Sequence, residues 1–131
     1  MTDDQKAKFT EFVQHYGLTR ADFFKAPQGF VVITRTGIEK IQRALKISVH
    51  FEVVPEFSSV EANMYCVKAT AGVETEEGIL PMVESYGEAS PKNCRMSYPI
   101  AMAEKRALSR VVLKMADLYE LGIYGEDEVE P

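Results

Sequence analysis

Along Ser97 to Tyr124, SYPIAMAEKRALSRVVLKMADLYELGIY, the apolar residues Ile100, Ala103, Ala107, Leu108, Val111, Val112, Met115 and Leu118 recur at a helical period on one broad face. Arg106, Arg110 and Lys114 follow each other at i, i+4 and i+8 along its flank. The pattern predicts a basic ridge beside a buried face. Ser97 is placed to cap this helix, Pro99 suits its first turn, and Gly122 supplies a stop. Glu104 breaks the pattern. It projects near the middle of the apolar face, where an unpaired carboxylate is costly, and this predicts a basic partner in the same domain or across a subunit boundary.

Upstream, Asp3 to Tyr16 reads as a short amphipathic helix with Phe9, Phe12, Val13 and Tyr16 on one side and Gly17 closing it. Thr19 to Phe24 adds a helical turn, and Ala26-Pro27-Gln28-Gly29 is turn chemistry. Phe30 to Thr34, FVVIT, fits a short buried strand. Thr36-Gly37-Ile38-Glu39 has the form of a capping box opening a helix to about Leu45, with Ile38, Ile41, Ala44 and Leu45 inward and Lys40, Arg43 and Lys46 outward. Ile47 to Val54 alternates as a strand does, and Pro55 to Ala62 is a loop. Met64 to Val73 and Ile79 to Glu88 form a hairpin across Glu74 to Gly78, with Pro81 marking an edge or a bulge in the second strand.

This order predicts an α+β fold: a three-stranded antiparallel β-meander, a long C-terminal helix packed on it as a β-β-β-α core, and preceding helices. A chain of 131 residues, 46% of them apolar, suits one such domain over residues 1–125, followed by an acidic tail at 126–131. There is no apolar run of membrane-spanning length and no secretion leader, so a cytoplasmic protein without a membrane partner is expected. Cys66 and Cys94 have neither a metal-site spacing nor a disulfide context and read as reduced thiols.

The net charge of −5 argues against a nucleic-acid partner only until its distribution is read. Lys92, Arg95, Lys105, Arg106, Arg110 and Lys114 face Glu104 alone, after which Asp117, Glu120, Glu126, Asp127, Glu128 and Glu130 have no basic neighbour. Such a tail is either a solvated end or a competitor with a polyanion for the basic surface. No phosphate-binding glycine loop, nucleophile elbow or zinc-hydrolase motif occurs, and the histidines are His15 and His50, the latter read as solvated. A metal-dependent carboxylate pair, Glu52 with Glu84 or Glu88, is the remaining enzymatic reading. The positive reading is a surface for single-stranded nucleic acid, which needs a cationic track for phosphates and aromatic faces for bases. Arg106, Arg110 and Lys114 would supply the track, joined by Lys92, Arg95, Arg35 and Lys68, with Tyr86 and Tyr98 bracketing the basic loop as candidate stacking platforms.

The hairpin ending Glu84-Ser-Tyr-Gly87 and the helix carrying Ala103-Glu-Lys-Arg-Ala-Leu108, Leu118-Tyr-Glu-Leu-Gly122 and Tyr124-Gly125 resemble the Rad52-type single-strand annealing protein superfamily, in its small phage and prophage recombinase branch. The resemblance spans roughly Gly37 to Gly125. It implies a β-β-β-α core, and it implies that Lys105 and Arg106 match the basic pair facing the bound strand's phosphates. The chain departs from the pattern where the next basic residue is expected, at Ser109, with Arg110 one step later. The resemblance further implies a non-enzymatic protein that binds single-stranded DNA and promotes annealing of complementary strands in recombination, as a ring or helical homo-oligomer, with no cofactor and no nucleotide hydrolysis. The rival readings are a plain single-strand-binding protein without annealing, and a protein-interaction module whose basic helix meets an acidic partner.

Overall fold

The first helix is set by its cap. In the computed structural model, which describes residues 2–95 and 97–129, the Thr2 hydroxyl accepts from the Gln5 N–H at 3.2 Å while Gln5 Oε1 accepts from the Thr2 N–H at 2.9 Å. The resulting helix α1, Asp3–His15, keeps no residue fully buried, but Phe9, Phe12, Val13 and Tyr16 lean on the core. Next come β1 (Phe23–Lys25), β2 (Val31–Ile33), α2 (Arg35–Leu45), β3 (Ile47–Val53), β4 (Tyr65–Thr75), β5 (Gly78–Ala89), α3 (Pro99–Met115) and β6 (Ile123–Gly125). The architecture is α+β, built on two sheets.

The larger sheet is antiparallel in the order β3-β4-β5, and α3 crosses one of its faces. Period-two alternation decides which face. Val67, Ala69 and Ala71 of β4, with Ser85, Gly87 and Ala89 of β5, point at the helix and are buried. Opposite them stand Ala103, Ala107, Val111 and Val112, all without measurable exposure. The small residues permit an unusually close approach: a Cβ added at Gly87 would stand 2.1 Å from the Ala103 carbonyl oxygen and 2.4 Å from the Ala107 nitrogen. Gly72 pairs with Pro81 and Ala71 with Val83, so Met82 is a surplus residue and β5 bulges there, as Pro81 led one to expect.

The smaller sheet, β1-β2-β6, was not anticipated. β1 pairs antiparallel with β2, and β6 joins β2 in parallel. Thr19 to Phe24 is therefore not a helical turn throughout: a single turn at Arg20–Asp22 passes directly into β1. The segment after α3 returns as a strand rather than trailing off. α3 ends at Met115, and Gly122, with φ 75°, closes a short turn at Tyr119–Leu121 instead of the helix itself.

Two caps move as well. Thr34, not Thr36, caps α2 by accepting from the Gly37 N–H at 3.1 Å, because Thr34 donates its own N–H to the Asp22 carbonyl and turns the chain two residues earlier. Glu39, freed from a capping role, pairs with Arg35 at 3.2 Å. Tyr98 rather than Ser97 precedes α3, with Pro99 in the first turn as expected. Ala44 is exposed, whereas Lys40, read as outward, reaches the buried Asp22 carboxylate at 2.8 Å. Lys40 and Thr19 hold that carboxyl below its ordinary range, although burial acts against them. Cys66 and Cys94 are free and buried. Among the described residues no helix is long and apolar enough to cross a membrane.

Candidate nucleic-acid interface

The basic ridge is where the structure most changes the picture. Arg106 is not on the surface; it is 4% exposed. Its Nη1 donates to the Glu88 carbonyl at 2.8 Å and to Asn93 Oδ1 at 3.1 Å, Nη2 to the Asn93 carbonyl at 2.8 Å, and Nε to the Asp127 carbonyl at 2.9 Å. Arg110 Nη1 donates to the Tyr86 carbonyl at 2.6 Å, and its guanidinium grips the Glu88 carboxylate at 3.1 and 3.3 Å. Lys114 Nζ lies 3.4 Å from the Glu84 carbonyl and 3.2 Å from Ser85 Oγ. The carbonyls of residues 88, 86 and 84 belong to the outer edge of β5.

The match is geometric. Four residues of helix advance about 6 Å, while two residues of strand advance about 6.6 Å, so cations at i, i+4 and i+8 meet every second carbonyl of a strand running the opposite way. The three residues read as a phosphate track instead seal a sheet edge. Burial works against the Arg110 charge, but Glu88 and Glu128 overcome it and hold that charge more firmly than usual.

The remaining sequence-predicted residues divide. Lys68 sits on the sheet face away from α3, paired with Glu84 at 3.3 Å, which keeps its amine charged to higher pH than usual. Arg35 opens α2 and is half-buried between Glu39 and the C-terminal segment. Tyr86 is 48% exposed on the outer sheet face. Lys92, Arg95 and Tyr98 are exposed on the loop leading into α3, and Tyr98 is the most open of the large aromatics at 73%. Lys105 is half-buried on the side of α3 that faces Asp127. Arg106 unites this last group: it pins Asn93, next to Lys92, against the helix that carries Lys105.

Glu104 is exposed. It lies on the side of α3 that also carries the 41%-exposed Ile100, while Pro99, Met102 and Ala103 of the same turns are buried, so the carboxylate stays in water and the predicted partner is not needed. The acidic segment behaves in the opposite way. Glu126–Glu128 forms a short turn against α2 and α3, with Asp127 buried, and only Glu130 and Pro131 of the expected tail lie outside the described residues. Glu126 accepts from the Arg35 N–H at 2.6 Å, Ser109 Oγ lies 3.4 Å from Asp127 Oδ2, and Glu128 accepts from the Tyr119 hydroxyl and lies 3.9 Å from Arg110. Burial pushes the Asp127 and Glu128 carboxyls above their ordinary range despite the neighbouring cations. Burial and then Glu128 drive the Tyr119 hydroxyl far above its own.

Sequence reasoning missed Gly87, Asn93 and Ser109 as parts of this region. A signal existed for the first: Ser85, Gly87 and Ala89 alternate as small residues on one face of a strand, which marks a close-packed helix. Among the described residues no cluster of three or more acidic, histidine or cysteine side chains is arranged to hold a metal, and Glu88, a candidate ligand, is engaged by Arg110. Neither the models of known protein families, nor the curated proteins, nor the solved structures yield a match to this chain.

Proposed function

We propose that the protein binds single-stranded DNA and promotes annealing of complementary strands, without nucleotide hydrolysis and as a homo-oligomer. The observation that carries this reading is the cationic end of α3: Lys92, Arg95 and Tyr98 exposed on a loop that the buried Arg106 fixes in place, with Lys105 on the adjoining helix. Exposed cations beside an open aromatic ring are what phosphate contact and base stacking require. The β3-β4-β5 sheet with α3 across it is the arrangement that the motif resemblance implies, and it supports the annealing function over simple strand protection. The strand-binding residues are then Lys92, Arg95, Tyr98 and Lys105, with Arg106 a positioning residue. Arg110, Lys114 and Lys68 hold the sheet.

Assembly belongs to the same reading. Among the described residues β3 has no strand partner on its outer side, and Val49, Phe51 and Val53 are partly open on the helix side, with Val53 47% exposed. A second copy fits that edge.

The test is fluorescence anisotropy of labelled oligo-dT at two salt concentrations, with sedimentation on the same samples and an annealing assay on complementary strands. Lys92→Gln, Arg95→Gln and Lys105→Gln should each weaken binding and lower the salt slope by about 0.7. Lys114→Gln should leave affinity unchanged. Tight binding that survives loss of the first three places the strand elsewhere.

A further inference from the structure

The acids of residues 126–128 lie against cationic side chains and the start of α2. Arg35 presents its backbone N–H at the start of α2, where unpaired donors and the helix dipole favour negative charge, and Glu126 takes that N–H. One atom of its guanidinium, Nη1, is buried without a hydrogen-bond partner. Lys105 and Arg35 both act on the buried Asp127 carboxylate, whose hydrogen bond from Ser109 is long at 3.4 Å. Arg106 gives this segment only one donor, to a backbone carbonyl. Two carboxylates thus lie across Arg35, Lys105, Ser109 and a helix start, and none of the cations bears a close side-chain bond to Asp127.

From this arrangement, and resting on the single-strand reading above, we infer that Arg35, Lys105, Ser109 and the start of α2 form a phosphodiester site, which residues 126–129 occupy until a strand displaces them. The cationic loop with Lys92 and Arg95 receives the strand first, since it is open. Displacement of the acidic segment then lengthens the track along α3, and it removes like charge from its path. Two of the occupant's side-chain contacts are long, Ser109 Oγ to Asp127 Oδ2 at 3.4 Å and Arg110 Nε to Glu128 at 3.9 Å, and these are the ones a phosphate replaces. The segment is a gate that rewards long strands over isolated phosphates.

Hydrogen–deuterium exchange on the full chain, with and without saturating oligo-dT, tests it. The amides of Asp127, Glu128 and Val129 should exchange about tenfold faster with the strand bound. Inorganic phosphate at matched phosphate concentration should leave them protected. Lys105→Gln should abolish the strand's effect on these amides, whereas Lys6→Gln, on α1, should not. If oligo-dT binds by anisotropy and the segment stays protected, the gate is overturned while strand binding stands. Equal release by inorganic phosphate overturns the assignment to a strand. If oligo-dT does not bind at low salt, the single-strand reading fails and the gate fails with it.

Discussion

The two edges of the large sheet are treated in opposite ways. At β5 three cations from α3 occupy the carbonyls of Glu84, Tyr86 and Glu88, and a glycine lets the helix lie almost on the strand. At β3 no strand or basic clasp among the described residues covers the edge, and exposure rises from Ile47, which is buried, to Val53, which is open. Closing one side of a sheet leaves a single direction in which it can be extended. Basic residues at helical spacing, which on a solvated helix would advertise a polyanion site, are here spent on that closure. The strand-binding site proposed above is left to the few cations that find no carbonyl.

The sharpest way to break this contrast is at the closed edge. Gly87→Val must push α3 off β5 and should cost about 3 kcal/mol or more in denaturant unfolding, enough to unfold a marginal domain. Arg106→Ala should cost about 3 kcal/mol, because it leaves the carbonyls of Glu88, Asn93 and Asp127 without their donor. Arg106→Lys should recover little, since an ammonium cannot span that fork. Arg110→Ala should cost about 1 kcal/mol, and Lys114→Ala no more than about 0.5 kcal/mol, following their increasing contact with water. A ridge built for DNA would show no such ranking in stability. At the open edge, Val53→Lys should barely change the unfolding midpoint but, in the proposed assembly, reduce the sedimenting species in size.

The smallest expected effect is a pH dependence. Asp127, facing Arg35, Lys105, Glu126 and Ser109, and Glu128, facing Tyr119, Arg110 and Asp127, both have raised folded-state values. Between the ordinary carboxyl range and those raised values the folded chain binds more protons than the unfolded one. Stability therefore falls as pH rises through that window and is flat above it. Asp22 has the reverse sign: its lowered value adds stability above the ordinary aspartate range that disappears as pH falls through the folded value. Melting temperature should rise slightly as pH falls from the raised values of Asp127 and Glu128 toward the ordinary carboxyl range, and then fall. Asp127→Asn with Glu128→Gln should remove the rise and keep the fall.

The sequence carried the larger sheet and its helix because each of those elements repeats a period several times over. Ile47 to Val53 alternates, and the face of α3 recurs through four turns, so no single residue had to be read correctly. β1 and β6 have three residues each, too few to show alternation, and β2, antiparallel to β1 and parallel to β6, is brought to β6 by chain folding over some ninety residues. The basic ridge shows the limit most plainly. Periodicity gave the angular position of Arg106 on the helix correctly, but it carried no information on which neighbour would stand there. Side-chain length and charge are equally suited to a phosphate and to a strand carbonyl. Only the smallness of Ser85, Gly87 and Ala89 hinted that the neighbour was a strand at close range. Glu104 went wrong for a complementary reason: a helical wheel treats all turns alike, whereas Ile100 and Glu104 are open on a side of α3 that is covered farther along, at Leu108 and Val111.

Met82 has a mechanical consequence. Between Val83 and Pro81 the outer strand contains one residue that its partner does not match, so the two strands of the hairpin have unequal contour lengths between the same paired ends. Unequal lengths in a bonded ribbon are accommodated only as curvature, with the longer strand on the convex side. The projecting tip, with Ile79 and Leu80 open to water, is therefore aimed by a single surplus residue, as a bent lever is aimed by its elbow. Deleting Met82 would straighten the lever and swing both side chains to a new heading, leaving the core beneath α3 where it is.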